Sequence, residues 1–273
     1  MGTEIYVGSL VTSRLRLFYC DTELGSGTGF FYKSDGRLYL ITNWHVVSGR
    51  NFQTLKCNLT NGGLPDRLKF TVGCRGHIGE WMEIDHMLYE DSGANVQPER
   101  PIWLEHAVHR HKVDVVAIPI LLPEGAEAHT IDHVNTVPTM ALKVSRDVFV
   151  LGYPRGISGS RGFPIWKRAS IATEPAIQLD GLPKMLVDTA TREGMSGAPV
   201  VAIADGEFDV EGPPPPYRLP GRVYRFVGVY SGRLGKNEME AQLGIVWKAQ
   251  AVGEIVQVPT AGKSSFVIQP PDC

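Results

Sequence analysis

The run Thr191-Arg192-Glu193-Gly194-Met195-Ser196-Gly197-Ala198-Pro199-Val200 sets a serine between glycines, just ahead of an apolar stretch. Glycine removes the steric bar on unusual backbone angles, so a hydroxyl can stand at the tip of a tight turn. The N–H groups of Gly194 and Ser196 then converge, as the oxyanion of a tetrahedral acyl-transfer intermediate requires. A Gly-x-Ser-Gly turn alone is an ordinary surface turn, and its chemical meaning rests on residues far away in the chain. His45 follows the apolar run Leu38 to Thr42, and Asp114 opens the β-branched run Val115-Val116-Ala117-Ile118. A hydroxyl is a weak nucleophile; it needs an imidazole to take its proton and a carboxylate to fix the imidazole tautomer. His45, Asp114 and Ser196 supply those three types, in the chain order His, Asp, Ser.

Other residues compete for these roles. Asp132 is the runner-up for the acid, but no comparable apolar strand follows it. His106, His109 and His111 cluster near Asp114, yet their stretch offers no second carboxylate or cysteine at ligand spacing, so a solvated loop is expected and no metal.

The elements that must hold these residues are short. Apolar or alternating runs recur at Gly29 to Tyr32, Leu38 to Thr42, Leu68 to Val72 and Val113 to Pro119. They continue at Val148 to Leu151, Ile165 to Ala172, Met185 to Thr189, Pro199 to Ile203, Val223 to Tyr230 and Leu243 to Trp247. With 30 glycines and 19 prolines between them, they predict an all-β sandwich or barrel. Ile78 to His111 is polar and reads as an inserted long loop with one helix. Pro213-Pro214-Pro215-Pro216 donates no backbone hydrogen bonds and is expected as an exposed loop. The tail from Pro259 to Cys273 reads as irregular.

Composition excludes more than it selects. At 273 residues the chain buries a sizeable core, and 43% hydrophobic with 21% charged residues is ordinary for a globular protein. A net charge of -2 gives no electrostatic case for nucleic acid or an anionic membrane, and no apolar run is long enough to span a bilayer. The first residues lack the basic start and apolar core of a secretory signal, and Tyr6 stands where a myristoylation motif wants a hydroxyl. Cys20, Cys57, Cys74 and Cys273 show no metal or disulfide-framework spacing, which points to reduced thiols in the cytoplasm, with a Cys57–Cys74 pairing as the alternative.

Taken together, Gly27-Thr28-Gly29-Phe30, Thr42-Asn43-Trp44-His45-Val46-Val47, Asp114-Val115-Val116-Ala117-Ile118, Leu151-Gly152-Tyr153-Pro154 and Gly194 to Val200 resemble trypsin-like (chymotrypsin-fold) serine peptidases. The resemblance is closest to the bacterial HtrA-like type, although Met195 and Ala198 stand where that type has Asn and Gly, and no sequence remains for its PDZ domain. It implies two packed six-stranded β-barrels of the chymotrypsin-like fold, with the active site in the cleft between them. The N-terminal lobe would cover residues 1–125 with the insertion 78–111, the C-terminal lobe 138–258, and a tail 259–273. The connection between the lobes falls within Leu121 to Pro138.

By the same resemblance His45, Asp114 and Ser196 form a triad, and the amides of Gly194 and Ser196 the oxyanion hole. Val229-Tyr230-Ser231-Gly232 would pair with an extended substrate. Ala190 would floor the first specificity pocket, with Gly232 and Gly244 as walls that leave it open to a medium apolar side chain. Should cleavage instead follow arginine, Glu193 or Glu238 would have to reach that pocket. The expected partner is a polypeptide substrate; a regulatory protein or a second copy stays open, and no cofactor is implied. No activation junction is visible in residues 1–24, so the oxyanion loop should order without processing or on binding a substrate or partner. The alternatives are a peptide-binding module on the same fold, or an esterase with the same triad.

Overall fold

A computed structural model of the chain describes residues 5–90, 100–135, 139–212, 218–234 and 242–270. The first half forms β1 (Thr12–Tyr19), β2 (Thr22–Ser34), β3 (Arg37–Thr42), β4 (Arg67–Cys74), β5 (His77–Met87), β6 (Leu104–Glu105), β7 (Val116–Pro119) and β8 (Ala126–Glu127). The second half forms β9 (Asp147–Gly152), β10 (Ile165–Ile171), β11 (Lys184–Asp188), β12 (Pro199–Asp209), β13 (Arg218–Arg233) and β14 (Leu243–Lys248). Among the described residues, a last strand, β15 (Thr260–Ala261), follows the second of two helices, α1 (Trp44–Ser48) and α2 (Ala249–Gln257).

These strands form two sheets of different kinds. The order β15-β6-β7-β3-β2-β1-β4-β5, with β8 on β4, makes a nine-stranded sheet whose two end strands do not pair. The second sheet, β10-β11-β14-β13-β12-β9, returns on itself through the β9–β10 pairing. The expectation of two matched six-stranded barrels is therefore corrected. The insertion explains part of the difference: instead of looping out, its first ten residues belong to β5, which pairs along β4 from Arg67↔Met87 to Cys74↔His77. Leu104–Glu105 forms β6, and among the described residues of the insertion the helical element is a 3-10 turn at Arg110–Lys112. The stretch read as an irregular tail supplies β15, paired with β6 through Thr260↔Glu105 and Ala261↔Leu104. The four-proline run lies outside the described residues.

Packing follows the two-residue period of strands. In β4, Leu68, Phe70 and Val72 point inward beside half-exposed neighbours, and they join Leu15, Leu40 and Trp44 in a core inside the first sheet. Val148, Val150, Met185, Val187, Val200 and Val246 fill the second. A third cluster lies between the lobes, where Phe30, Ile41 and Val115 meet Val201, Phe226 and Trp247. Helix α2 adds Val252 and Ile255 to that layer from its buried face. Each such side chain contributes roughly 1.5–3 kcal/mol, so the apolar layer fixes the lobes against each other and holds the cleft at their junction.

Candidate active site

Helix α1 is five residues long and begins directly where β3 ends. Gly49, at φ 67, ends it in the left-handed conformation that glycine adopts without a Cβ penalty. Asn43 precedes the helix but does not cap it: its Nδ2 donates to the backbone oxygen of Asp114 at 2.6 Å and latches the helix to the lead of β7. Trp44, fully buried, anchors the other side by donating Nε1 to Glu105 Oε1 at 3.0 Å. Glu105 is 2% exposed and also accepts from Trp103 Nε1 and the Lys263 amide, with Arg110 at 3.3 Å completing its neutralisation. A buried carboxylate without such partners would cost several kcal/mol, so this cluster pins the helix that carries His45.

His45 and Asp114 meet as the chemistry of their types requires. Asp114 is fully buried and accepts the His45 backbone N–H at 2.8 Å on Oδ1. Its Oδ2 lies 2.6 Å from His45 Nδ1 and also accepts the Ser231 hydroxyl. Of the two imidazole nitrogens, Nδ1 is the one this carboxylate engages, so the carboxylate sets the orientation of the ring. Ser231, expected to contact substrate, is thus also a ligand of Asp114. That contact spans 117 residues and has no local signature.

The serine turn is held from both lobes. Gly194 (φ 87) and Gly197 (φ 85) occupy conformations closed to side chains. A Cβ at Gly197 would also collide with the Thr28 carbonyl oxygen and Thr42 Oγ1. Thr28 donates its hydroxyl to Gly194 O at 2.7 Å, accepts the Tyr153 amide at 3.2 Å, and donates its own amide to Ser196 O at 2.9 Å. The Arg155 amide donates to Glu193 O at 2.7 Å. In a trans peptide the C=O and the following N–H point opposite ways, so this bond turns the Gly194 N–H away from Arg155. Among the described residues neither the Gly194 nor the Ser196 amide donates to a protein carbonyl. Met195 between them is fully buried in the second core, which fixes the turn by apolar packing.

Ser196, Gly194 and His45 line one cavity of about 600 Å³. No hydrogen bond joins Ser196 Oγ to His45 within the described residues. Ala190 is half-buried, and Gly232 faces open space. The opening expected beside Gly244 is not there: the ring of Tyr230, 1% exposed, fills it, with its hydroxyl bonded to Thr191 Oγ1. Burial pushes that phenol up to about 12, only partly offset by Thr191. Asp132 is turned elsewhere, accepting the Lys33 amide at 3.2 Å. His106 pairs with Glu254 at 2.8 Å and His111 packs on Trp44, while no described group of three potential ligands could hold a metal. Cys20, Cys57 and Cys74 are unpaired thiols.

A buried acid–imidazole pair facing a glycine-framed serine across a cleft between β-lobes defines a peptidase-like protein. Residues 27–208 match the trypsin-like peptidase domain, and the chain belongs to that family. Among solved structures it resembles the Rv3671c protease from M. tuberculosis in its active form, at 19% identity over 94% of this chain and 83% of that one, with a TM-score of 0.46. It also resembles the serine endoprotease from Yersinia pestis at 11% identity, over 94% of this chain and 67% of that one, with a TM-score of 0.50. For the MamO protease domain from Magnetospirillum magneticum the figures are 14%, 91% and 96%, with a TM-score of 0.48. At such identities the likenesses concern the fold alone. No protein of curated function matches the chain.

Proposed function

We propose that this chain is a serine endopeptidase that cleaves polypeptides through an acyl-enzyme. The observation that carries this reading is the chain of contacts from Ser231 through Asp114 to His45 Nδ1, beside a cavity that His45 shares with Ser196 and Gly194. In this reading His45 Nε2 takes the Ser196 proton as Oγ attacks the scissile carbonyl, and returns it to the leaving amine. Asp114 holds the tautomer and stabilises the imidazolium. The undonated amides of Gly194 and Ser196 hold the oxyanion, each worth about 3–4 kcal/mol in comparable sites. Substrate backbone would lie along Ser231, Gly232 and Arg233, adding a strand to the edge of β13. Because Met195 is anchored by apolar packing, the oxyanion loop needs no charged new N-terminus to order it. A cytoplasmic setting belongs to the same proposal and rests on the cysteine spacing; no described helix is long and apolar enough to cross a membrane.

A fluorophosphonate probe followed by peptide mapping tests the reading. Wild-type protein should label at Ser196, and Ser196→Ala should lose both labelling and hydrolysis while unfolding at the same denaturant concentration. A protein that binds peptides but does not label would be a binding module instead. One that labels and hydrolyses only esters would share the triad without the peptidase activity.

A further inference from the structure

The two sides of the serine are built unequally. On the side towards Ala190, Thr191 and Gly244, the Tyr230 side chain occupies the interior. Its position is fixed at the backbone, because Tyr230 O accepts the Gly197 amide and its N–H donates to Ala198 O, both at 2.8 Å. A Cβ at Gly244 would lie 2.5 Å from the Tyr230 ring and 3.2 Å from Thr189 Cγ2, so no space is left between ring and strand. The open cavity of about 600 Å³ that Gly194 and Ser196 line is walled instead by Leu17, Leu24, Val46, Leu59 and Pro65, and none of Ala190, Thr191, Tyr230 and Gly244 lines it. That volume lies within the usual range for sites that enclose a small ligand.

Given the endopeptidase reading, on which this rests, a substrate whose acyl part runs along Ser231 to Arg233 must carry its amine part across His45 into this second space. The geometry points to an inverted specificity: Tyr230 closes the acyl-side pocket to all but small side chains, and selection falls on an apolar residue following the cleaved bond. Tyr230 is then a specificity-determining residue, and Leu24 and Leu59 form the walls that recognise the leaving side. The chemistry of the step is unchanged; the Ser196 ester forms as the amine leaves with the proton from His45.

Peptide substrates differing only in the residue before the bond, and a peptide-library digest read by mass spectrometry, test this in the intact chain. Wild type should cleave after glycine, alanine or serine about 10²-fold more efficiently than after leucine or phenylalanine. Its cuts should be enriched in leucine, valine or methionine on the leaving side. Tyr230→Ala should narrow the first ratio at least about tenfold and leave the leaving-side preference as it was. Leu59→Glu should do the reverse, lowering apolar and raising basic residues after the bond. If Tyr230→Ala does not fold, the wild-type ratio and Leu59→Glu still decide. Equal cleavage after alanine and phenylalanine by wild type, or no leaving-side change in Leu59→Glu, overturns the inference even though Ser196 labels. Failure of Ser196 to label overturns the endopeptidase reading, and this inference with it.

Discussion

Replacing Thr28 with valine removes one hydroxyl and nearly nothing else, and it tests how the serine turn is held. Thr28 is fully buried, and its Oγ1 serves two partners: it donates to Gly194 O at 2.7 Å and accepts the Tyr153 amide at 3.2 Å. Valine has the same shape but answers neither, so a carbonyl and an N–H remain in a site water does not reach. Each such orphan costs about 1–3 kcal/mol, and allowing for relaxation we expect a loss of about 2–4 kcal/mol. With a urea m-value of about 3 kcal/mol/M, the unfolding midpoint should fall by roughly 1 M. Gly194 would also lose the anchor on its carbonyl, in the peptide group that follows the one carrying its free amide. Turnover should therefore drop by about 10–100-fold, less than for outright removal of an oxyanion donor. Urea unfolding by tryptophan fluorescence and hydrolysis of a cleaved peptide measure the two effects. Thr28→Ser, which keeps the hydroxyl, should recover most of the turnover. A valine variant within about 0.5 kcal/mol of wild type, with unaltered turnover, would refute the account of how the lobes brace the turn.

Asp114→Asn should lower turnover by about 10⁴-fold by favouring the wrong imidazole tautomer, whereas Asp132→Asn, whose carboxylate serves Lys33, should leave it near wild type; the opposite ranking would move the acid. Gly197→Ala should not yield a folded enzyme at ordinary temperature, since its φ of 85 and the Thr28 and Thr42 oxygens both exclude a Cβ; a soluble variant with wild-type melting would contradict the turn geometry. Alkaline stability should fall as pH rises from about 10 towards about 12, because burial raises the Tyr230 phenol, and that of Tyr153, above the unfolded value. The sign follows from the neutral phenol being the buried form: the contribution is complete below the unfolded pKa and is lost above it. Spectrophotometric titration should find Tyr230 and Tyr153 ionising late, with Tyr32 also raised by burial, and ionisation of Tyr230 and Tyr153 in the ordinary range before unfolding would count against it.

Much of the second lobe was legible because its strands are bounded by turns and carry apolar residues on at least one face. The runs read at Val148 to Leu151 and Leu243 to Trp247 sit inside β9 and β14. The first lobe misled where burial is shallow. In β5 His77, Glu80, Glu83 and Asp85 face outward while Met82 and Ile84 pack against the core and His86 lies on Phe70, so the segment carries a loop's composition while forming eleven residues of strand. His45, Asp114 and Ser196 stood out because each adjoins a recognisable run. Thr28 and Glu105 did not, since their importance lies in hydrogen bonds to partners 166 and 61 residues away. Tyr230 was expected on the strand that pairs with substrate; its ring instead lies against Gly244 and Thr191, next to a bulge between Tyr230 and Gly232 that propensity does not reveal.

The pairing of β15 with β6 bears on the order in which the chain can assemble. Thr260 joins Glu105 across the sequence, and the Lys263 amide supplies one of the donors that Glu105 needs. During synthesis, the β-lobe that bears His45 therefore emerges long before the residues that complete its outer strand and satisfy its buried carboxylate. Domain-by-domain folding from the N-terminus is the usual route for larger chains, but here the first lobe must wait for Thr260 to Lys263, which follow the second lobe. The wait is a long loop closure of the kind that slows folding. It also couples maturation of the imidazole's platform to a segment that follows the second lobe, so a nascent chain that had not yet reached residue 260 would carry Ser196 without a settled partner for it.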